Sequence, residues 1–338
     1  MTRAAGCARW RASLAPWLGF GISLALLGAL VAYTVRHLGD ARRFAALLEH
    51  TEPRWLAVGL ALQLGTYGCA GGIWYRVAAA AGHGLDLVAA ARLSVEKLGI
   101  NQLVPTGGLA GDVVVAGALR RLGLPLAVAM EAVLIDVVTY FVAYAAAVLL
   151  ALGILSTRRD VTPAVLASFG GCAAMLGLVP VAIWWLLRHR DWRPPAWIAR
   201  WRVVGRLRSL LRGFGTSRVR SPRLLLAAAT LQGGIVLLDA ATLWAMLQAI
   251  GSPAPASVCF VALVTAQIAR TLSVLPAGIG PFEAGSLASL ALLGVPIEAA
   301  LAATLLFRGF ALWLPLVPGV LLARRDLTLW HRGRSVKR

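Results

Sequence analysis

Apolar residues in this chain are gathered into long uninterrupted blocks. Six of them, 14–35, 54–81, 124–153, 163–187, 224–250 and 296–322, are long enough to cross a bilayer as helices. Spanning ~30 Å of hydrocarbon takes roughly 20 residues at 1.5 Å each. The period-two alternation of a membrane β-barrel is absent, so every block reads as helix. The first block is longer than the ~7–15 apolar residues of a secretory signal and lacks a small-x-small cleavage site. It reads as a retained first span.

Two further apolar segments, 87–121 and 256–294, are broken near their middles by Pro and Gly. The first break reads Leu103-Val104-Pro105-Thr106-Gly107-Gly108-Leu109-Ala110-Gly111-Asp112, the second Val274-Leu275-Pro276-Ala277-Gly278-Ile279-Gly280-Pro281-Phe282-Glu283. A constant offset superposes them without a gap, matching Pro105 with Pro276, Gly107 with Gly278, Asp112 with Glu283, Gly123 with Gly294 and Pro125 with Pro296. A half-helix, a break and a returning half-helix make a re-entrant hairpin, tolerated at membrane depth where the broken backbone is buried or lines a wet cavity. The competing reading is a pair of ordinary kinked spans. Three full spans separate the hairpins, and an odd number reverses direction. The predicted fold is therefore an all-α polytopic membrane protein, with six full transmembrane helices plus two re-entrant helical hairpins in an inverted-topology repeat. Secondary transporters commonly share that architecture, with substrate bound near the midplane. The domain layout is a cytoplasmic segment 1–13, one membrane domain 14–322 with repeat halves 87–153 and 256–322, and a basic tail 323–338.

Composition agrees with lipid as the solvent: 59% of the 338 residues are hydrophobic and 14% charged, more apolar surface than a soluble domain of this length buries. The formal net charge of +19 is concentrated in the connections. Residues 188–223 hold eleven arginines against the single acid Asp191, which marks this loop as cytoplasmic. Counting spans outward from it places both termini, and Arg76, Arg92, Lys97, Arg120 and Arg121, on the same side. The basic residues read as topology signals alone, the alternative being capture of anionic lipid headgroups. Nucleic acid is not an expected partner. A multi-pass protein of the cell membrane with both termini cytoplasmic follows.

Charges inside the apolar segments carry the candidate chemistry. Asp112, Glu131, Asp136, Asp239 and Glu283 lie there, with Arg270 and Arg308 as cationic partners. A charge at a lipid-facing helix centre costs about 2.5–3.5 kcal/mol, so these residues should face one another or water. The expected substrate-contacting set is Arg308, Glu283, Arg270, Asp112, Asp136 and Asp239, with Arg308 and Arg270 holding a lipid phosphate. Pro281 followed by Glu283 also describes a helix start with an acid favoured by the dipole, and an ion pair of purely structural purpose stays open for Arg308. Glu131 and Glu298 read as interfacial or solvated. Gln63, Gln232 and Gln267 read as inter-helix hydrogen bonds of about 0.6 kcal/mol, outside the site.

Several chemistries find no support. Cys7, Cys69, Cys172 and Cys259 lie far apart, without CxxC spacing or neighbouring histidines, so neither a disulfide framework nor a metal site is indicated. No phosphate-binding Gly-x-x-x-x-Gly-Lys-[Ser/Thr] loop occurs. His37, His50, His83, His189 and His331 all fall in connections or the tail, which leaves no nucleophile with a base in the membrane. No enzyme activity and no cofactor are expected.

The two broken segments resemble the flippase-like family named for the transmembrane region of lysylphosphatidylglycerol synthase. Its first signature is similar to Asn101, Pro105, Gly111 and Asp112; its second, Pro-x-Gly-x-Gly-x-x-Glu with a downstream Arg, is similar to Pro276, Gly278, Gly280, Glu283 and Arg308. Members often follow the acid after the first motif directly with Arg, whereas here Asp136 precedes Val137, so that role is not carried over. Members resembling the synthase add a soluble aminoacyl-transfer domain; this chain ends shortly beyond its last span, and lipid aminoacylation is not expected of it. Relatives without that domain imply movement of phospholipids, polyprenyl-linked sugars or hopanoid-type lipids. The expected partners are membrane lipids. The alternatives are a membrane scaffold holding lipid-biosynthesis enzymes and a secondary transporter of a polar solute.

Overall fold

The computed structural model describes residues 51–103, 109–157, 163–188, 221–272, 276–316, 318–319 and 321–322. Among them every long element is an α-helix. These are α1 (Pro53–Ala80), α2 (Leu87–Leu103), α3 (Leu109–Arg121), α4 (Leu126–Ser156), α5 (Pro163–Arg188), α6 (Pro222–Ala249), α7 (Ala256–Leu272), α8 (Pro281–Leu292) and α9 (Ile297–Arg308). A 3-10 turn, Pro276–Gly278, precedes α8, and a π-helical stretch, Gly309–Trp313, continues α9.

Among the described residues four helices are long and apolar enough to cross a membrane: Pro53–Ala80, Leu126–Ser156, Pro222–Ala249 and Ile297–Leu316. Within α5 the apolar stretch Ala167–Ile183 is shorter. The predicted span 14–35, the terminal segments and most of the arginine-rich loop lie outside the described residues, as do Pro105 and Gly107. By contrast α2 and α7 have 17 residues, α3 has 13 and α8 has 12. At 1.5 Å per residue, α3 and α8 extend roughly 20 Å and fall short of the hydrocarbon thickness. The sequence accounts for these short elements: each pair is interrupted by Pro and Gly, and Pro281 sits where a first helical turn has no use for its missing N–H.

Contacts divide the chain into two compact units. One takes in the described residues of 64–98, 111–238 and 318–338. Its core joins Ile73, Trp74 and Val77 of α1, Leu93 of α2, Val115 and Leu119 of α3, and Val128 and Ile135 of α4. Gly71 brings α1 so close to α2 that a Cβ there would stand 2.6 Å from the backbone N of Ala91. The other unit takes in the described residues of 1–63, 99–110 and 239–317. Here α8 lays Gly285 against Ala266 and Ala269 of α7, and Phe282 stacks on Phe307 of α9 with centroids 5.6 Å apart. Small residues at such crossings let backbones approach where lipid offers no hydrophobic drive to association. Large apolar side chains such as Leu64, Val88, Leu178 and Leu226 stay more than half exposed, a pattern that suits a lipid surround.

The internal correspondence extends beyond the segments where the motifs repeat. A single shift in numbering carries Pro53–Ala80 onto Pro222–Ala249 and Leu87–Leu103 onto Ala256–Leu272, so α1 and α2 share their bounds with α6 and α7. Gly82 (φ 74°) and Gly251 (φ 70°) close α1 and α6 with the same bonds, His83 N–H to the Ala78 carbonyl at 2.9 Å and Ser252 N–H to the Leu247 carbonyl at 3.0 Å. Past the break the motif offset takes over: Gly123 (φ 91°) and Gly294 (φ 92°) form matching turns, with Leu124 N–H bonded to the Leu119 carbonyl and Val295 N–H to the Leu290 carbonyl. These are six-to-one helix terminations, in which a residue of left-handed conformation lets the chain cap its own last carbonyls. Each unit of correspondence is a long helix, two short helices and a long helix.

Candidate functional site

In α8 the local sequence builds an ion centre. Proline at its first position and Gly280 (φ 93°) before it bring the Gly280 N–H to Glu283, whose Oε2 accepts at 2.6 Å. The other carboxylate oxygen, Oε1, meets Arg308 Nε at 2.6 Å. Glu283 is therefore both a helix cap and half of an ion pair, so the two readings of this residue coexist. Arg308 Nη2 also donates to the carbonyl of Ala277 at 3.2 Å, and the guanidinium lies over the Phe282 ring at 5.0 Å. Arg308 is 5% exposed and Glu283 7%, and the π-helical stretch begins directly after Arg308. Wide turns of this kind occur mostly as single-turn insertions, frequently at functional sites.

Ala277 (φ 57°) and Gly278 (φ 63°) hold left-handed conformations inside the turn, a strain that alanine rarely accepts. Gly278 is required on a second count: a Cβ there would collide with the stem of Arg270. Arg270 donates to Gln267 Oε1 at a long 3.4 Å and lies within electrostatic reach of Arg308 and Asp239. No carboxylate among the described residues stands within salt-bridge distance of it. Asp239 pairs elsewhere, accepting from Gln63 Nε2 at 2.9 Å.

The second centre surrounds a residue whose sequence context placed it among the cytoplasmic basic residues. Lys97 of α2 is largely buried, its side chain 18% exposed. Its Nζ reaches Asp112 Oδ1 of α3 at 2.7 Å and Asp136 Oδ2 of α4 at 2.5 Å. The ammonium lies 5.3 Å from the centroid of Trp74, whose Nε1 donates to Ser94 Oγ one turn earlier on α2. Gln232 Nε2 of α6 donates to Asp136 Oδ1 at 2.8 Å. A signal was present in the sequence: Lys97 is the one basic residue between Arg92 and Arg120, within an apolar segment.

The remaining predicted residues sort plainly. Arg308 and Glu283 meet, Arg270 flanks them, Asp112 and Asp136 meet through Lys97, and Asp239 joins Gln63. Gly111 lies in α3 beside Asp112, Asn101 is part-buried near the end of α2, and Pro276 opens the strained turn. Gln63 and Gln232 make the inter-helix hydrogen bonds expected of them, each to an aspartate, and the shift that carries α1 onto α6 carries one onto the other. One expectation needs correction. Glu131, expected at the interface, is 1% exposed, because the start of α4 is covered by core neighbours of Val128, Ala129 and Ala132. Glu298 is part-buried.

The family model described as the lysylphosphatidylglycerol synthase TM region matches residues 17–319. The chain belongs to this family. A search of curated proteins finds no match. Within this synthase-TM-region protein, the match covers both ion centres and both interrupted segments. Chemically, the centre at α8 suits an anion. A guanidinium carries five N–H donors; Arg308 uses Nε and Nη2 on Glu283 and Ala277, and the rest have no partner among the described residues. A guanidinium that keeps donors beyond those used on described residues, near Arg270, is a place for oxygen acceptors such as those of phosphate.

Proposed function

We propose that the protein moves an amphipathic lipid across the cell membrane without hydrolysing ATP and without acting as an enzyme. The lipid is a phospholipid, a polyprenyl-linked molecule or a hopanoid-type molecule. Its anionic headgroup is taken by Arg308 and Arg270, with Glu283 holding Arg308 in place, while the acyl chains remain in the bilayer. The carrying observation is the buried Arg308–Glu283 pair, held against a strained turn that precedes a short helix, with guanidinium donors that have no partner among the described residues. Membership of the family and the apolar, multi-span character of the chain support a role in lipid rather than in water.

The same reading makes the two corresponding halves an inverted-topology repeat with re-entrant hairpins. The shortness of α3 and α8 supports it, as does the run of three helices of 26 residues or more between them among the described residues, α4, α5 and α6. Both termini then face the cytoplasm, as the arginine-rich segment 188–223 suggests through the positive-inside rule.

The test is dithionite bleaching of a fluorescent anionic phospholipid in proteoliposomes holding wild type, Arg308→Ala or Glu283→Ala, with each protein monodisperse on size exclusion. Rapid bleaching of the inner leaflet by wild type alone is expected. Equal rates in all three would remove the embedded charges from the mechanism. No movement of any probe lipid by wild type would favour a scaffold for lipid-biosynthesis enzymes.

A further inference from the structure

The acid near the start of the second short helix is repeated, as Asp112 in one half and Glu283 in the other, but its cation is not. The offset that matches these two acids matches Arg308 with Val137. The shift that relates α2 to α7 matches Lys97 with Ala266. One half thus draws its cation from the closing long helix, α9, and the other from the opening short helix, α2.

The two cations nevertheless share two contacts, the acid near the start of the second short helix and an aromatic ring. Arg308 reaches Glu283 at 2.6 Å and Lys97 reaches Asp112 at 2.7 Å. Arg308 lies over a ring at 5.0 Å and Lys97 over a ring at 5.3 Å. The residues around them explain the exchange. Phe282, the ring under Arg308, corresponds to Gly111, and Phe307, stacked on Phe282, corresponds to Asp136. Where one half fills this space with two stacked rings, the other has a glycine and a second carboxylate. A side chain arriving from α2 therefore finds both room and charge, and Trp74 of α1 supplies the aromatic face that Gly111 lacks.

We infer that Lys97 is the first half's counterpart of Arg308: a positioning residue that holds the acid near the start of α3 and is needed for lipid movement, in place of a cation at position 137. Its activity readout rests on the lipid-moving reading above; its stability readout does not.

The experiment compares wild type, Lys97→Ala, Lys97→Arg and the double variant Lys97→Ala/Val137→Arg. Melting temperature in detergent and dithionite bleaching per monodisperse protein are both measured. Lys97→Ala is expected to lower the melting temperature and slow lipid movement by at least about tenfold, the consequence of leaving buried carboxylates without their cation. Lys97→Arg should keep most of the rate, and adding Val137→Arg to Lys97→Ala should recover both readouts. An unchanged rate in Lys97→Ala overturns the inference, as does a double variant no better than the single one. Recovery of melting temperature without recovery of rate reduces Lys97 to a structural residue and also overturns it. Should Lys97→Ala give no monodisperse protein, the yield of the double variant decides in its place: recovered yield with lipid movement supports the inference, and equal failure overturns it. If wild type itself moves no lipid, the proposed function fails, while the melting temperatures still show whether position 137 replaces Lys97.

Discussion

In the two ion centres each buried charge is tied to a partner of particular geometry, and the balance within each centre sets what a substitution does. Lys97 faces two carboxyl groups, Asp112 at 2.7 Å and Asp136 at 2.5 Å, so that this trio sets two acids against one cation. Asp112→Asn leaves a one-to-one pair and should change stability by less than about 1.5 kcal/mol, whereas Arg308→Ala strands Glu283 and should cost about 3–5 kcal/mol. Chemical denaturation of the two variants in detergent checks the contrast; comparable losses would mean that charge balance does not govern these sites. Gly278→Ala places a side chain at φ 63° and against the Arg270 stem, and about 1–2 kcal/mol of strain is expected from the left-handed backbone before the clash is counted. A melting temperature equal to wild type would show that the turn relaxes.

At the level of elements, the sequence shows where helices break but not how they pack. Pro281, Gly280 and Glu283 announce the start of α8 by their types and order, and the Leu-Gly-x-Pro turns at 122–125 and 293–296 announce the starts of α4 and α9. The correspondence of α1 with α6 was hidden, because their side chains differ at most positions and repeats such as Pro53 with Pro222 and Gln63 with Gln232 are few. The close crossing of α1 and α2 is another packing fact. Gly71→Ala must push against the backbone of Ala90 and Ala91, while a Cβ at Gly68 meets nothing within 4 Å. Overpacking costs about 1–3 kcal/mol, so Gly71→Ala should melt well below wild type and Gly68→Ala beside it. Equal melting temperatures would refute so tight a crossing.

For the molecule as a whole, each of the two units contains one buried ion centre, and the family match spans both. If the arginine-rich segment is cytoplasmic, a cysteine placed at Ser209 in a variant lacking Cys7, Cys69, Cys172 and Cys259 will react with an impermeant maleimide only from the cytoplasmic face of oriented vesicles. Labelling from the opposite face would invert the proposed topology. Hydropathy and composition were enough to establish a helical membrane protein, four of its six predicted spans and the places where the two short-helix pairs are interrupted, since the bilayer imposes helix on any apolar run of sufficient length. The motif acids and Arg308 were legible for the same reason: a charge inside such a run is expensive and stands out. Which charges meet was not legible. Lys97 of α2 joins Asp112 of α3 and Asp136 of α4, and Arg308 of α9 joins Glu283 of α8, pairings between separate helices for which sequence carries no rule. Those partnerships come from helix packing, where glycines and small residues set how closely helices approach and each buried charge takes the counter-charge that packing brings within reach.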